Sequence, residues 1–556
     1  MSAGRSIAEI EAGTTLSSPS YTREVFNLDG VKASAVSRTE VALVIGVLAV
    51  LILSGYDAVR QIPPLADDLW MTEYRPGQIF FTYVAEHGWA GRVLGQVVID
   101  LVNSVTRAAG WPLLASLLAV RTVSLALVYI IFRRLFALPV SASLAGMALL
   151  ALTPAGQEGW TMLCVTNLTM TAPAVLASCG LFGRAATVPT GTRCWKLIAW
   201  GVVLQTVANA LYEQVVFVVP AFVCTLVIFY CAKGFLAWRA AFRIALASVC
   251  GAIFWLVCLF ASGYVASRAQ SEGGLEASDL LGGLNALWLA FGKQNLWRAV
   301  ELIRTRQFGW WDQTVAGLVS TMATIAVAAG IALVISSRRA IQMPASPSSE
   351  ATQTPRATVH APALMTAAII AAYSAVLPGG FVTPGFIIYS RMFYLPGVFV
   401  ALASGTLIAS SARRWRTQTA VAVGLLILWT GMTARRYLSD MRDGSRIVRA
   451  VASRVAAVPV EESSRGLLII APEVVGTFST SAVQSSSLRA AVRDFEGIEV
   501  SGPLYFAETC EAAASAGGKV YAEGSRLTDV RSWGAVVRYT QSGVVAGPTL
   551  DSVRDK

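Results

Sequence analysis

Charge is scarce in this sequence. Charged residues make up 14% of the 556, hydrophobic ones 55%, and the mean hydropathy is +0.59, a balance that excludes an ordinary soluble domain. An early apolar core is also missing: up to about Arg38 the chain is a polar, Ser/Thr-rich tail, so residues 1–38 are expected to be a disordered cytoplasmic segment and no secretory signal is expected. No CxxC spacing occurs. Of the eight cysteines, Cys164, Cys179, Cys224, Cys231, Cys250 and Cys258 lie in or beside apolar runs, and Cys510 stands alone in the C-terminal part, which excludes a disulfide framework and a zinc site. The net charge of +11 comes in short clusters between apolar runs, so topology explains it and nucleic acid is not an expected partner.

What is present is a succession of apolar runs, about eleven of them approaching the roughly 20 residues needed to cross a bilayer. They cover 41–56, 111–132, 139–154, 162–182, 197–211, 215–231, 244–264, 315–335, 361–377, 392–411 and 419–432. Alternate connections carry the basic residues: Arg38, then Arg133 and Arg134, then Arg184, Arg193 and Lys196, then Lys233, Arg239 and Arg243, then Arg338 and Arg339, then Arg413, Arg414 and Arg416. Those loops are assigned to the cytoplasm. The loops "AGQEGW" and "LYEQ" lack Lys and Arg and are assigned outside, with the long loops 57–110 and 265–314. Arg435 and Arg436 run against the alternation. A Pro/Ser/Thr-rich inside linker covers 337–360. The membrane domain is therefore placed at 39–435. In the remainder, 436–556, "GLLIIAPEVV" and "GAVVRYT" read as strands and "SSLRAAVRDF" and "ETCEAAASA" as helices, a small extracytoplasmic α/β domain.

With that orientation, polar residues from distant parts of the chain collect at one interface. Asp67 and Asp68 follow the first run, Glu158 follows the third, Tyr212, Glu213 and Gln214 form the turn after the fifth, and Arg391 opens the tenth. Each has an ordinary reading: solvated acid for the Asp pair, a solvated turn for Glu213, snorkelling for Arg391. Together, at bilayer depth, they point to function. After the acidic pair, residues 79–109 show apolar positions at helical spacing interrupted by Glu86, Arg92, Gln96 and Asp100, a pattern suited to helices lying in the interface.

This arrangement resembles the GT-C class of integral-membrane glycosyltransferases, carried by "ADDLW", "GWAGRVLGQ" and "NALYEQVV" over roughly 41–432, and within it the bacterial O-antigen-modifying glucosyltransferases. The resemblance implies a GT-C-like fold of about 11 transmembrane helices with interfacial helices in the first outer loop. It implies transfer of a sugar from a polyprenyl-phosphate donor to an extracytoplasmic glycan or glycolipid, at the bacterial plasma membrane, with inversion. By the resemblance Asp67 is favoured as base, with Asp68 orienting the sugar or a metal. No WWDYG sequence is present; "GWWDQ" at 309–313 is read as an interface anchor.

The chemistry agrees with these residue types. Sugar transfer needs a base for the acceptor hydroxyl and stabilisation of the departing phosphate. Arg391 presents a planar, permanently charged fork for phosphate, with Tyr389 and Tyr394 beside it in sequence. Glu158, Glu213 and Gln214 are candidates for binding sugar hydroxyls or orienting the base. Arg92 is a candidate for a phosphate or a helix cap, and His87 for a structural hydrogen bond. Asp67, Asp68 and Glu213 could offer oxygens to a divalent cation, Mg or Mn, though no spacing demands one and no metal site is assigned. Two other readings compete: a polysaccharide polymerase or ligase using the basic residues of 265–314, and a flippase or transporter, against which the absence of an internal repeat counts.

Overall fold

Apolar runs that must satisfy every backbone group without water become helices. In a computed structural model of the chain, the described residues are 37–59, 77–87, 92–110, 113–152, 163–262, 357–375, 394–411, 416–472, 474–475, 478–479, 485–507, 509–514, 521–522, 533–540 and 542–554. The helices are α1 (Arg38–Val59), α2 (Gln78–His87), α3 (Val93–Ala108), α4 (Leu113–Arg134), α5 (Val140–Leu152), α6 (Thr166–Ala185), α7 (Thr192–Leu211), α8 (Val218–Ala232), α9 (Trp238–Ala261), α10 (Ala357–Ser374), α11 (Tyr394–Ser410) and α12 (Arg416–Ala456). Among the described residues α4, α7 and α9 are long and apolar enough to cross a membrane, and α5, α8, 361–372 and α11 are shorter apolar helices. Large apolar side chains lie exposed along them, including Ile130, Trp200, Phe254 and Phe260. This is a helical membrane protein, and such faces suit contact with lipid.

Close packing inside the bundle follows from small residues at helical spacing. Ala142 and Gly146 on α5 face Ala401 and Gly405 on α11, each pair four residues apart. A Cβ on Gly146 would lie 2.9 Å from the Ala401 carbonyl oxygen, and one on Gly405 would lie 3.0 Å from that of Ala142. Backbones approach there because nothing larger than glycine intervenes, which replaces the hydrophobic drive that lipid removes. An aromatic chain, Phe132, Phe136, Phe222 and Phe399, continues the contact across α4, α8 and α11 at centroid spacings of 6.4, 6.3 and 6.1 Å.

The two ends of the bundle differ. At one, Ser37 Oγ accepts from the Glu40 backbone N–H at 3.0 Å and starts α1. The Glu40 carboxylate accepts from Tyr129 at 2.7 Å and Arg133 Nε at 2.9 Å, pinning α1 to the end of α4. The other end holds the α7–α8 turn and the start of α3. Helix α12 begins near the first end, where Ser411 Oγ bonds Thr419 Oγ1 at 2.9 Å. It then passes Leu152 at Gly431 and runs unbroken to Ala456. The sequence boundary at 435/436 therefore falls inside one helix.

Beyond it come α13 (Val460–Ser464), β1 (Leu467–Ile470), β2 (Val474–Val475), β3 (Phe478–Ser479), α14 (Ser485–Glu496), β4 (Leu504–Ala507), α15 (Cys510–Ala514), β5 (Tyr521–Ala522), β6 (Ala535–Thr540), β7 (Gly543–Gly547) and α16 (Leu550–Arg554). One sheet runs β5-β4-β1-β6-β7, and β2 pairs with β3 separately. β1 is parallel to β4 and β6, Leu467 standing opposite Leu504 and Ala535, and the outer strands β5 and β7 are antiparallel. Alternation along β1 sends Leu467 and Ile469 to the α12 and α14 side and Leu468 and Ile470 to the α15 and α16 side. Since α12 leaves the bundle beside Leu152, this sheet stands at the end that holds the α7–α8 turn.

Candidate functional site

Helix α3 departs from the ordinary amphipathic pattern. Its buried face carries Gln96, Asp100, Asn103 and Thr106 beside Ile99 and Val102, while Val97, Leu101 and Val105 are 40%, 60% and 46% exposed. Polar residues inside and apolar ones outside suit a helix whose outer face meets hydrocarbon. The buried polar groups are used. Asp100 accepts from the backbone N–H of Gly77 at 2.9 Å and of Phe80 at 3.2 Å, satisfying the first turn of α2 from the neighbouring helix. Gly77, at φ 85, is a position where glycine is needed to enter that turn. Thr106 bonds the Val102 carbonyl and Ser116.

The start of α3 is fastened to the α7–α8 turn. α7 ends at Leu211, Tyr212 is extended, and a 3-10 turn covers Glu213–Val215. Arg92, just before α3, sends its guanidinium to Glu213: Nε lies 3.0 and 2.8 Å from Oε1 and Oε2, and Nη2 2.8 Å from Oε1. Its Cζ also sits 4.4 Å from the Tyr212 ring centroid. The side chains of the pair are 25% and 16% exposed, so water screens them only in part. Three of the sequence candidates, Arg92, Tyr212 and Glu213, thus meet, although they come from two distant loops. Arg92 stands at the N-cap of α3 but makes no side-chain cap bond there, so its fork serves Glu213 instead.

Gly95 permits this approach. A Cβ there would strike the Leu211 carbonyl oxygen and lie 3.0 Å from Asn167 Cβ. Gly95→Ala is expected to push α3 off α7 and cost about 1–3 kcal/mol, seen as a lower melting temperature in detergent; an unchanged melt would contradict the contact. For the clamp itself, a double-mutant cycle on Arg92→Ala and Glu213→Ala is expected to give a coupling of about 2 kcal/mol. Additive losses would contradict a direct pair.

A further residue was not singled out in the sequence. Arg121, eight residues into α4 and so about 12 Å along its axis, is completely buried. Its Nη1 donates to the Tyr394 hydroxyl, its Nη2 to the Leu150 carbonyl at 3.3 Å, and its Cζ lies 4.9 Å from the Tyr394 ring centroid. It therefore ties α4 to the end of α5 and the start of α11, the elements that border Glu158 and Arg391 in sequence. The signal was an arginine inside an apolar run, which marks function by default.

Asp67, Asp68, Glu158, Tyr389 and Arg391 lie outside the described residues, as do the side chains of Gln214 and His87. Among the described residues no group of three His, Cys, Asp or Glu side chains is placed to hold a metal ion.

No protein-family model matches the chain, and no curated protein matches it. Among solved structures, it is similar to the archaeal oligosaccharyltransferase AglB from Archaeoglobus fulgidus, solved with an inhibitory peptide and a dolichol-phosphate. The TM-score is 0.41 at 11% identity, over 88% of this chain and 75% of that one. It is also similar to ArnT from Cupriavidus metallidurans bound to undecaprenyl phosphate, at a TM-score of 0.32 and 13% identity, over 88% of this chain and 98% of that one.

Proposed function

We propose that the chain is a membrane glycosyltransferase that moves a sugar from a polyprenyl-phosphate donor to an extracytoplasmic glycan or glycolipid. The observation that carries this reading is the fastening of the first outer loop. Asp68 is nine residues before Gly77, whose N–H is held by Asp100, and the same loop is bolted through Arg92 to Glu213. A loop bearing an acidic pair is thereby anchored at both α2 and α3 against an end of the bundle rich in buried polar side chains. A mere surface turn needs no such anchorage.

In this reading one aspartate of the pair, Asp67 in preference, takes the proton from the acceptor hydroxyl as it attacks the anomeric carbon. The C–O bond to the lipid phosphate breaks with inversion, and the phosphate departs as an anion stabilised by Arg391. Asp68 orients the sugar, Glu158, Gln214 and Tyr389 contact the substrates, and Arg92 with Glu213 and Tyr212 keeps the loop in register. The donor lipid enters from the bilayer, and the membrane is that of a bacterial cell, with the N-terminus in the cytoplasm and the sheet domain outside. A divalent cation on the acidic pair is an addition that chelation would expose.

The experiment is direct. Purified protein in nanodiscs is given radiolabelled polyprenyl-phosphoryl sugars and a membrane glycolipid fraction, and transfer is followed with and without a chelator. Sugar moving to the glycolipid supports the reading; no transfer from any donor in the panel rejects it.

A further inference from the structure

Buried polar groups in a membrane bundle normally find partners inside it, and one turn of α7 shows how. Gln205, fully buried, donates from Nε2 to the Ser248 carbonyl on α9 at 2.9 Å and accepts from Ser248 Oγ at 3.3 Å. Gly251, also on α9, leaves room for that amide: a Cβ there would lie 3.3 Å from Gln205 Oε1. The next residue on that face of α7, four positions on, is Asn209. It too is fully buried, yet neither its amide oxygen nor its amide nitrogen has a hydrogen-bond partner.

Helices α7 and α9 run in the same direction, so one turn beyond Ser248 and Gly251 brings α9 to Ala252 and Trp255. Trp255 is 6% exposed and its indole N–H has no partner either. These residues pack around Ala210, next to Asn209, together with Val216 from the α7–α8 turn and Val93 and Leu94 from the start of α3. The two unmet groups thus lie at the end of the bundle that holds the Arg92–Glu213 clamp. Val93 adjoins Arg92, and Asn209 is two residues before the end of α7, from which Tyr212 and Glu213 follow.

The chemistry of the unmet atoms defines what they fit. They comprise an amide oxygen that accepts, an amide nitrogen that donates and an indole nitrogen that donates, with no net charge. A phosphate, offering acceptors alone, leaves the amide oxygen unmet. A cation meets that oxygen and opposes both donors. Sugar hydroxyls both donate and accept, and the flat indole face suits the C–H side of a pyranose.

We propose that Asn209 and Trp255 form a subsite for the uncharged glycosyl unit of the donor, at the end of the bundle that holds the clamp fastening the first outer loop. This rests on the glycosyltransferase reading and adds to it that the sugar is a neutral one, held by neutral groups.

The test uses the full chain in nanodiscs and short soluble probes: farnesyl phosphate alone, and farnesyl phosphate carrying glucose, galactose, mannose or glucuronate. The wild type is expected to bind at least one neutral hexosyl probe about tenfold more tightly than farnesyl phosphate, and to gain nothing from glucuronate. In Asn209→Leu that gain is expected to vanish while affinity for farnesyl phosphate stays. The melting temperature should hold or rise, because an apolar side chain of similar size replaces an unmet amide. Trp255→Phe, which keeps a ring and loses the N–H, is expected to lose part of the gain.

An Asn209→Leu protein that keeps the full hexose-dependent gain overturns the subsite. So does one that melts lower and loses affinity for all probes equally, which marks a structural role. Wild-type binding of farnesyl phosphate with no gain from any neutral hexose also overturns it, while leaving the glycosyltransferase reading standing. Binding of no probe at all overturns both.

Discussion

Replacing Asp67 by Asn is expected to lower sugar transfer by about 100- to 10,000-fold, the range that a positioned general base contributes. Asn is nearly isosteric and still hydrogen-bonds, so the chain should insert and melt as the wild type does; what it cannot do is accept the proton of the acceptor hydroxyl. The loss should fall on kcat, with the donor KM nearly unchanged, because the proton moves only in the transition state. Asp68→Asn is expected to act differently. Neighbouring residues on a helix or strand do not share a face, so the two carboxylates are not expected to act as one dyad. In the proposed reading the second orients the sugar, and its loss should raise KM by about tenfold, the effect of one charged hydrogen bond. Steady-state kinetics on both variants, after confirming insertion, checks the split. Wild-type rates in both would remove the base from the mechanism.

The second large effect is expected at Arg121. Arg121→Ala removes the donors that serve the Tyr394 hydroxyl and the Leu150 carbonyl, leaves both in a water-poor interior and opens a cavity in α4. A loss of about 3–5 kcal/mol follows. Arg121→Met fills the volume with apolar atoms and should recover much of that stability, as buried ionic groups often can be replaced by apolar ones of similar size. Tyr394→Phe deletes a single acceptor and should cost about 1 kcal/mol. Melting curves in detergent separate the three: Ala far below wild type, Met between, Phe close to it. Equal melts for Ala and wild type would mean that Arg121 does not join α4 to α5 and α11.

Much of the helical architecture was legible because lipid imposes one rule on every span, and length and hydropathy report it. Arg92, Tyr212 and Glu213 could be nominated because charge next to apolar runs is conspicuous. Their mutual contact could not, since it depends on where α3 crosses α7, and that is set by the hole at Gly95 and by Asn167 across from it. Arg121 escaped for the opposite reason. A single arginine barely lowers the mean hydropathy of α4, which still reads as a span, and averaging hides what one buried guanidinium does. Asn209 and Gln205 are indistinguishable in sequence, two amides four residues apart in one helix. Only the position of Ser248 shows that one is satisfied and the other is not.

The helix boundaries show a related limit. The apolar run ends at 432, whereas the helix continues to Ala456. Hydropathy reports the solvent around a helix and says little about its continuity. Past that point only one face of α12 is apolar, with Val448, Val451 and Val455 turned into the core shared with the sheet. The expected outer loop 265–314 and the apolar run 315–335 lie outside the described residues.

The claim on which the mechanism depends is that the first outer loop, the α7–α8 turn and the segment before α11 open on the same side of the membrane, away from the cytosol. Single cysteines at 67, 214 and 391, in a chain whose native cysteines are replaced, can be challenged in intact cells with a membrane-impermeant maleimide. All three are expected to label without lysis, whereas a cysteine at 134 labels only after it. Labelling of 67 and 391 from opposite sides would contradict the site and the catalysis built on it.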